Sequence, residues 1–124
     1  MATYPGAQPI GRFETMSWLF MRVSGIVLLF MAVIHLVIMH YGIGVGNLTF
    51  DVVAERWANP WWRLYDFFLL GLAWTHGVNG ARIVISDYVR PRGWRFLAHT
   101  LLAAAYLVLL VMGAYAILTF NVMT

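Results

Sequence analysis

Three long apolar runs, separated by two shorter polar stretches, dominate the pattern along the chain. The runs cover about 17–40, 63–88 and 96–120. Each is long enough to cross the hydrocarbon layer of a membrane, which takes about 20 helical residues. Both connections contain glycine and proline, which break helices. The pattern therefore predicts an all-α membrane protein with three transmembrane helices in a single domain, 1–124.

The composition supports a membrane protein. Of 124 residues, 62% are hydrophobic and 10% are charged, whereas soluble domains have about 25% charged residues. The absence of cysteine excludes disulfides, thiolate metal sites and an iron–sulfur cluster held by this chain. A formal net charge of +3, spread along the chain, gives no indication of nucleic-acid binding.

The arginines predict the orientation of the helices. One side of the predicted bundle has Arg12, Arg90, Arg92 and Arg95. On the other side, Arg56 and Arg63 are offset by nearby acids, and the C-terminal tail is uncharged. Because basic loops stay in the cytoplasm, we expect a cytoplasmic N-terminus and an outer C-terminus. No cleavable signal or transit peptide is evident, which favours a bacterial plasma membrane.

The first connection, 47–63, is rich in tryptophan and has balanced charges. Tryptophan is enriched at membrane interfaces, where short amphipathic helices also lie. We therefore expect an interfacial segment here, in the form of a short helix.

Two histidines lie within the apolar runs. His76 is near the middle of the second run, beside Gly77 and one turn from Ala73 and Gly80. An imidazole flanked by small residues suits an axial ligand of haem iron, but it also suits an interhelical hydrogen bond. His35, in the first run, is expected nearer the outer side, so the two histidines would serve two haems rather than one. A helix-contact role for His35 is equally consistent with the pattern.

A second group of polar residues is expected near the cytoplasmic interface. Asp87 and Tyr88 end the second run, and Arg82, Arg22 and Ser24 are expected at a similar depth. A tyrosine hydroxyl donates to a quinone carbonyl, and a carboxylate relays protons. Arg82 suits a haem propionate. Interfacial solvation and a membrane-belt aromatic are the simpler interpretations of Asp87 and Tyr88 taken singly.

These residues resemble a known family, the membrane-anchor subunits of succinate:quinone oxidoreductase (respiratory complex II). The similarity lies in His76 followed by ten residues and Asp87-Tyr88, which is closest to D-type anchors. Other positions are shared with C-type anchors: Arg22-x-Ser24-Gly25 and Arg82.

The resemblance implies a non-catalytic subunit with no activity alone, which docks a flavoprotein and an iron–sulfur subunit and pairs with a sister anchor. It implies that His76 binds haem b, with the second ligand from the sister anchor, and that Asp87 and Tyr88 line a quinone site. His35 resembles the helix-one ligand of two-haem members. The resemblance also implies a role in the respiratory chain and the tricarboxylic acid cycle.

Two other functions are consistent with the sequence. One is a b-type cytochrome anchor of another membrane dehydrogenase, which needs haem but not the acid–tyrosine pair. The other is a non-redox scaffold or transporter subunit, in which the histidines only bond between helices. The optical spectrum of the purified complex separates the redox functions from the non-redox one.

Overall fold

The computed structural model describes residues 11–120, which form helices and no strand. The four α-helices are α1 (Arg12–Val37), α2 (Phe50–Ala58), α3 (Pro60–Tyr88) and α4 (Arg92–Thr119). The all-α prediction is confirmed for this part of the chain. The short helix expected in the first connection is α2.

The first helix is longer at both ends than the sequence predicts. It begins at Arg12, and a π-helical stretch, Ile38–Gly44, and a 3₁₀ turn, Val45–Asn47, follow it without a break. Glycine lowers helix stability by about 1 kcal/mol but does not prevent helix formation, so the glycines here did not stop the helix at residue 40. The π-helical stretch ends at Gly44, whose φ of 83° favours glycine.

Side-chain caps fix the two helices that follow. Thr49 Oγ1 accepts a hydrogen bond from the backbone N–H of Val52 at 3.4 Å, at the start of α2. Asn59 Oδ1 accepts one from the N–H of Trp61 at 2.9 Å, with Pro60 in the first position of α3. Both are favoured N-cap arrangements. They explain why α2 and α3 are separate helices.

Helix α3 lies between α1 and α4 and is antiparallel to both. Ser17, early in α1, hydrogen-bonds Asn79, late in α3. His35, late in α1, lies 3.4 Å from Asp66, early in α3. The bundle therefore has two ends. At the Asp87 end, α1 begins, α3 ends and α4 begins. At the Asp66 end, α1 ends, α3 begins and α4 ends.

A small residue, Gly113, lies at the α3–α4 contact. A methyl group built on Gly113 would lie 2.8 Å from a methyl carbon of Leu70, so only glycine allows this approach without a shift. Polar contacts accompany it, since the indole N–H of Trp74 donates to the carbonyl of Tyr106 at 3.1 Å. Close approach over small residues is typical of membrane helices.

Few residues are buried within this bundle. Among residues 11–120, only Ser24, Ala54 and Ile117 are buried as whole residues, although the side chains of Arg56 and Asp66 are about nine-tenths covered. Two helical stretches, Arg12–Asn47 and Arg92–Thr119, are long and apolar enough to cross a membrane. Apolar helices that cover so little of one another's surface need lipid or a partner protein to cover the rest.

Candidate functional site

The imidazole of His76 is held by a serine of the neighbouring helix. Ser24 Oγ lies 2.8 Å from His76 Nδ1, and the same hydroxyl donates to the carbonyl of Phe20 at 2.5 Å. Ser24 is only 2% exposed, although α1 is largely exposed elsewhere. His76 Nε2 has no hydrogen-bond partner among the described residues.

Helix α1 fills part of the small-residue groove beside His76. A methyl group on Gly25 would lie 3.5 Å from His76 Cε1, and one on Gly80 would lie 3.6 Å from the terminal methyl of Met21. The Gly80 side of the groove therefore serves helix packing. A methyl group on Gly77 would meet nothing within 4 Å, so open space adjoins His76 on that side.

Arg82 is the centre of a polar network at the α1–α3 contact, towards the Asp87 end. Its Nη1 lies 3.2 Å from Glu14 Oε1, its Nε donates to Asn79 Oδ1 at 3.1 Å, and its Nη2 donates to Ser17 Oγ at 3.1 Å. The sequence singled out Arg82 but none of these three partners. Glu14 is a carboxylate, the same chemical group as a haem propionate.

Arg22 lies on α1 beside a large groove. Its guanidinium stacks on the ring of Trp18 at 4.1 Å. The groove has a volume of about 720 Å³, within the range of small-molecule sites. Its lining consists of Glu14, Thr15, Ser17, Trp18, Met21, Arg22 and Ile83.

Asp87 and Tyr88 are exposed at the end of α3, and Tyr88 is 82% exposed. Tyr88 lies twelve residues beyond His76, which is about 18 Å along the helix axis. Ser24 is therefore not near this pair. The expectation that it shares their depth is wrong, because the register of α1 against α3 brings Ser24 to His76.

A second polar cluster, at the Asp66 end, surrounds His35. Asp66 accepts hydrogen bonds from Arg56 Nη2 and from the indole N–H of Trp57, both at 2.8 Å. His35 Nδ1 lies 3.4 Å from the same carboxylate, close enough for an ion pair but without hydrogen-bond geometry. The side chains of Arg56 and Asp66 are 8% and 11% exposed.

This cluster borders a cavity of about 280 Å³, which is too small by itself for a porphyrin. No function was expected from the sequence for Asp66 or Arg56. The available signal was an acid, Asp66, three residues inside an apolar run that follows an arginine-bearing connection.

The two histidines lie at different depths. Asp66, which marks the level of His35, is ten residues from His76 on α3, a separation of about 15 Å along the axis. The expected separation is confirmed. Within residues 11–120, no cluster of three or more histidine and acidic side chains could hold a metal ion.

Comparison with known proteins identifies the family. The sequence model of the succinate dehydrogenase/fumarate reductase transmembrane subunits matches residues 3–120, nearly the whole chain. The chain belongs to this family. The resemblance drawn from His76 and Asp87-Tyr88 is thus confirmed at the level of the family. A membrane subunit of a larger enzyme complex agrees with the two apolar helices and the exposed bundle surface.

One relative within this group of proteins is the succinate dehydrogenase hydrophobic membrane anchor subunit of Thermoplasma acidophilum. It is 31% identical to the chain over 65 residues, which cover 52% of the chain and 53% of the relative. The chain therefore spans about half the length of the relative that it matches.

Proposed function

We propose that this chain is a haem b-binding anchor of succinate dehydrogenase, which docks the flavoprotein and iron–sulfur subunits and forms part of a quinone-reduction site. The observation that carries this proposal is His76, held by buried Ser24 on the middle of α3, with Nε2 unpartnered in a member of the anchor family. A single interhelical hydrogen bond would need only one of the two ring nitrogens.

The donor set fits haem b as half of a site. His76 would hold the iron of one haem, and His35 would hold the iron of a second haem nearer the Asp66 end. The sister anchor completes each iron, because the histidines of this chain lie too far apart to share one. Arg82 and Arg22 would pair with the haem propionates. A propionate at Arg82 would replace Glu14 as the partner of its guanidinium. The haem, when bound, supplies reversible one-electron transfer.

The quinone site is proposed at the Asp87 end. Exposed Tyr88 would donate to a quinone carbonyl, and exposed Asp87 would relay protons from water. The groove beside Arg22, with a volume of about 720 Å³, is large enough for a quinone ring, but Asp87 and Tyr88 are not among its lining residues. Ser24 is no longer assigned to quinone, because it lies about 16 Å deeper, beside His76.

We propose that α3 is a third membrane span. It has 29 residues, about 43 Å of helix, and its charged residues lie near its ends: Arg63, Asp66, Arg82 and Asp87. Its antiparallel contacts with α1 and α4 support the same depth for all three helices. The N-terminus is then cytoplasmic and the C-terminus outside, in a bacterial plasma membrane, with the Asp87 end facing the docked soluble subunits.

The exposed apolar faces support a sister anchor as the neighbour of this bundle. Leu29, Phe30 and Val33 on α1 are each at least half exposed, and so are Val108 and Val111 on α4. We assign this chain as the D-type anchor, so its sister anchor is the C-type one. Lipid covers part of the exposed surface, and the sister anchor covers the rest. Without that partner, we expect the chain to be unstable in detergent.

Co-purification tests the proposal. A tagged chain, expressed with its neighbouring subunits, should copurify with a flavoprotein, an iron–sulfur protein and a second anchor. Pyridine haemochrome quantification against flavin should give one haem per complex, or two if His35 also binds. His35→Ala should then remove one of the two and leave the other. A haem-free complex would overturn the ligand assignments, and a purified chain with no redox partner would indicate a non-redox scaffold.

Tyr88→Phe tests the quinone site. The substitution removes one hydroxyl from an exposed position at the end of α3, so the helices should be unaffected. We expect succinate:quinone reductase activity to fall by roughly 10²-fold, the lower range for loss of a positioned proton donor. Succinate oxidation with an artificial acceptor and haem content should not change. The matched control is Tyr41→Phe, an equally exposed tyrosine at the Asp66 end. Equal quinone kinetics in both variants would remove Tyr88 from the site.

A further inference from the structure

We infer that Ser24 is a positioning residue, which fixes the tautomer of His76 so that Nε2 is the nitrogen offered to iron. The inference rests on the proposed haem function and adds a residue to it. It also replaces the quinone role first expected for Ser24. Three observations carry it: the two bonds of the Ser24 hydroxyl, its burial, and the opposite arrangement at another histidine.

The hydroxyl of Ser24 has one proton and two acceptor positions. It makes two short contacts, 2.5 Å to the carbonyl oxygen of Phe20 and 2.8 Å to His76 Nδ1. A carbonyl oxygen can only accept, so the serine proton points to Phe20. Ser24 Oγ must then accept at its second contact, and His76 Nδ1 must carry a hydrogen. In a neutral imidazole, Nε2 is consequently the nitrogen with the free lone pair.

The surroundings make this arrangement rigid. Ser24 is 2% exposed, so water does not compete for its hydroxyl. The α1 backbone lies close to the imidazole at Gly25, where a methyl group would stand 3.5 Å from His76 Cε1. Rotating the ring to present Nδ1 would leave a buried hydroxyl lone pair facing carbon. Partners of this kind fix the orientation of metal-binding histidines and raise their basicity.

The same argument applied to His99 places the hydrogen on the other ring nitrogen. The hydroxyl of Ser86 donates to the carbonyl of Arg82 at 2.9 Å and lies 3.3 Å from His99 Nε2. By the same proton count, His99 carries its hydrogen on Nε2. This pair is exposed and has no part in the proposed site. Deleting the Ser86 hydroxyl is therefore a matched control for deleting that of Ser24.

The test uses the assembled complex with Ser24→Ala, Ser24→Thr and Ser86→Ala. For Ser24→Ala, we expect roughly 10- to 100-fold weaker haem binding, measured as haem loss to apomyoglobin. The midpoint potential of the remaining haem should rise, because a less basic imidazole stabilises ferric iron less. The low-spin g-values in electron paramagnetic resonance should shift as well. Ser24→Thr keeps the hydroxyl and should restore all three readouts, and Ser86→Ala should match the wild type.

A structural role for the serine would give a different pattern. If Ser24→Ala lowers stability but leaves potential and g-values unchanged, or if Ser24→Thr and Ser24→Ala behave alike, the inference is wrong. If Ser24→Ala does not assemble, Ser24→Cys replaces it, since a thiol has a similar shape but is a weak acceptor. The cysteine variant should show the same upward shift in potential, and a wild-type potential would overturn the inference. Full haem content in His76→Ala would instead overturn the proposed function.

Discussion

His76→Ala is expected to abolish one haem b in the assembled complex. The imidazole is the one histidine side chain that the described residues place at this depth on α3. Alanine offers no lone pair, and the neighbouring Ser24 hydroxyl is committed to the Phe20 carbonyl. The pyridine haemochrome to flavin ratio should fall to zero in a one-haem complex, or by half in a two-haem complex. The corresponding α-band should be lost from the reduced spectrum.

The control for this experiment is His99→Ala. His99 is also hydrogen-bonded to a serine of α3, but the pair is exposed. Its removal should leave haem content and spectrum unchanged, which separates loss of a ligand from a general effect of deleting a histidine. Wild-type haem content in His76→Ala would show that His76 only bonds between helices. An equal loss in both variants would show that haem content reports assembly rather than ligation.

The number and order of the long helices could be predicted from the sequence, because apolar runs of more than 20 residues have few alternatives to a helix. Their ends could not. The first helix begins at Arg12, five residues before the apolar run. Helix α4 begins at Arg92, beside Pro91 and before the predicted start at 96. Charged and polar residues are compatible with the first turn of a helix, so hydropathy does not mark where that turn begins.

The residues of the site were predictable one helix at a time, but their partners were not. His76 and Asp87 are 11 residues apart, close to three helical turns, so helical periodicity places them on one side of α3, and the family match covers both. Nothing in the sequence set the register of α1 against α3, so Ser24 was assigned to the wrong depth. The same limit hid the contact of Asp66 with Arg56 and His35. Residues ten or more positions apart meet only through the rotation and register of packed helices.

Asp66→Asn is expected to destabilise the bundle by about 3–5 kcal/mol, the usual cost of leaving a buried charge without its partner. The carboxylate accepts hydrogen bonds from Arg56 Nη2 and from the Trp57 indole N–H, each at 2.8 Å. Both ionic side chains are about nine-tenths buried. Asparagine can still accept from one of these donors, but it leaves the Arg56 charge uncompensated. The midpoint of thermal unfolding of the complex in detergent should therefore fall, and His35 should lose its anionic neighbour.

Two comparisons show whether the buried charge is the cause. Asp51→Asn removes the same charge from an exposed position on α2, and it should leave the unfolding midpoint within error. The double variant Arg56→Met with Asp66→Leu removes both charges and fills similar volume. It should be more stable than Asp66→Asn alone, because replacing a whole buried ion pair by apolar residues is often neutral or stabilising. If the double variant is as unstable as the single one, hydrogen bonding and packing of the Asp66 side chain, rather than charge balance, hold this end of the bundle together.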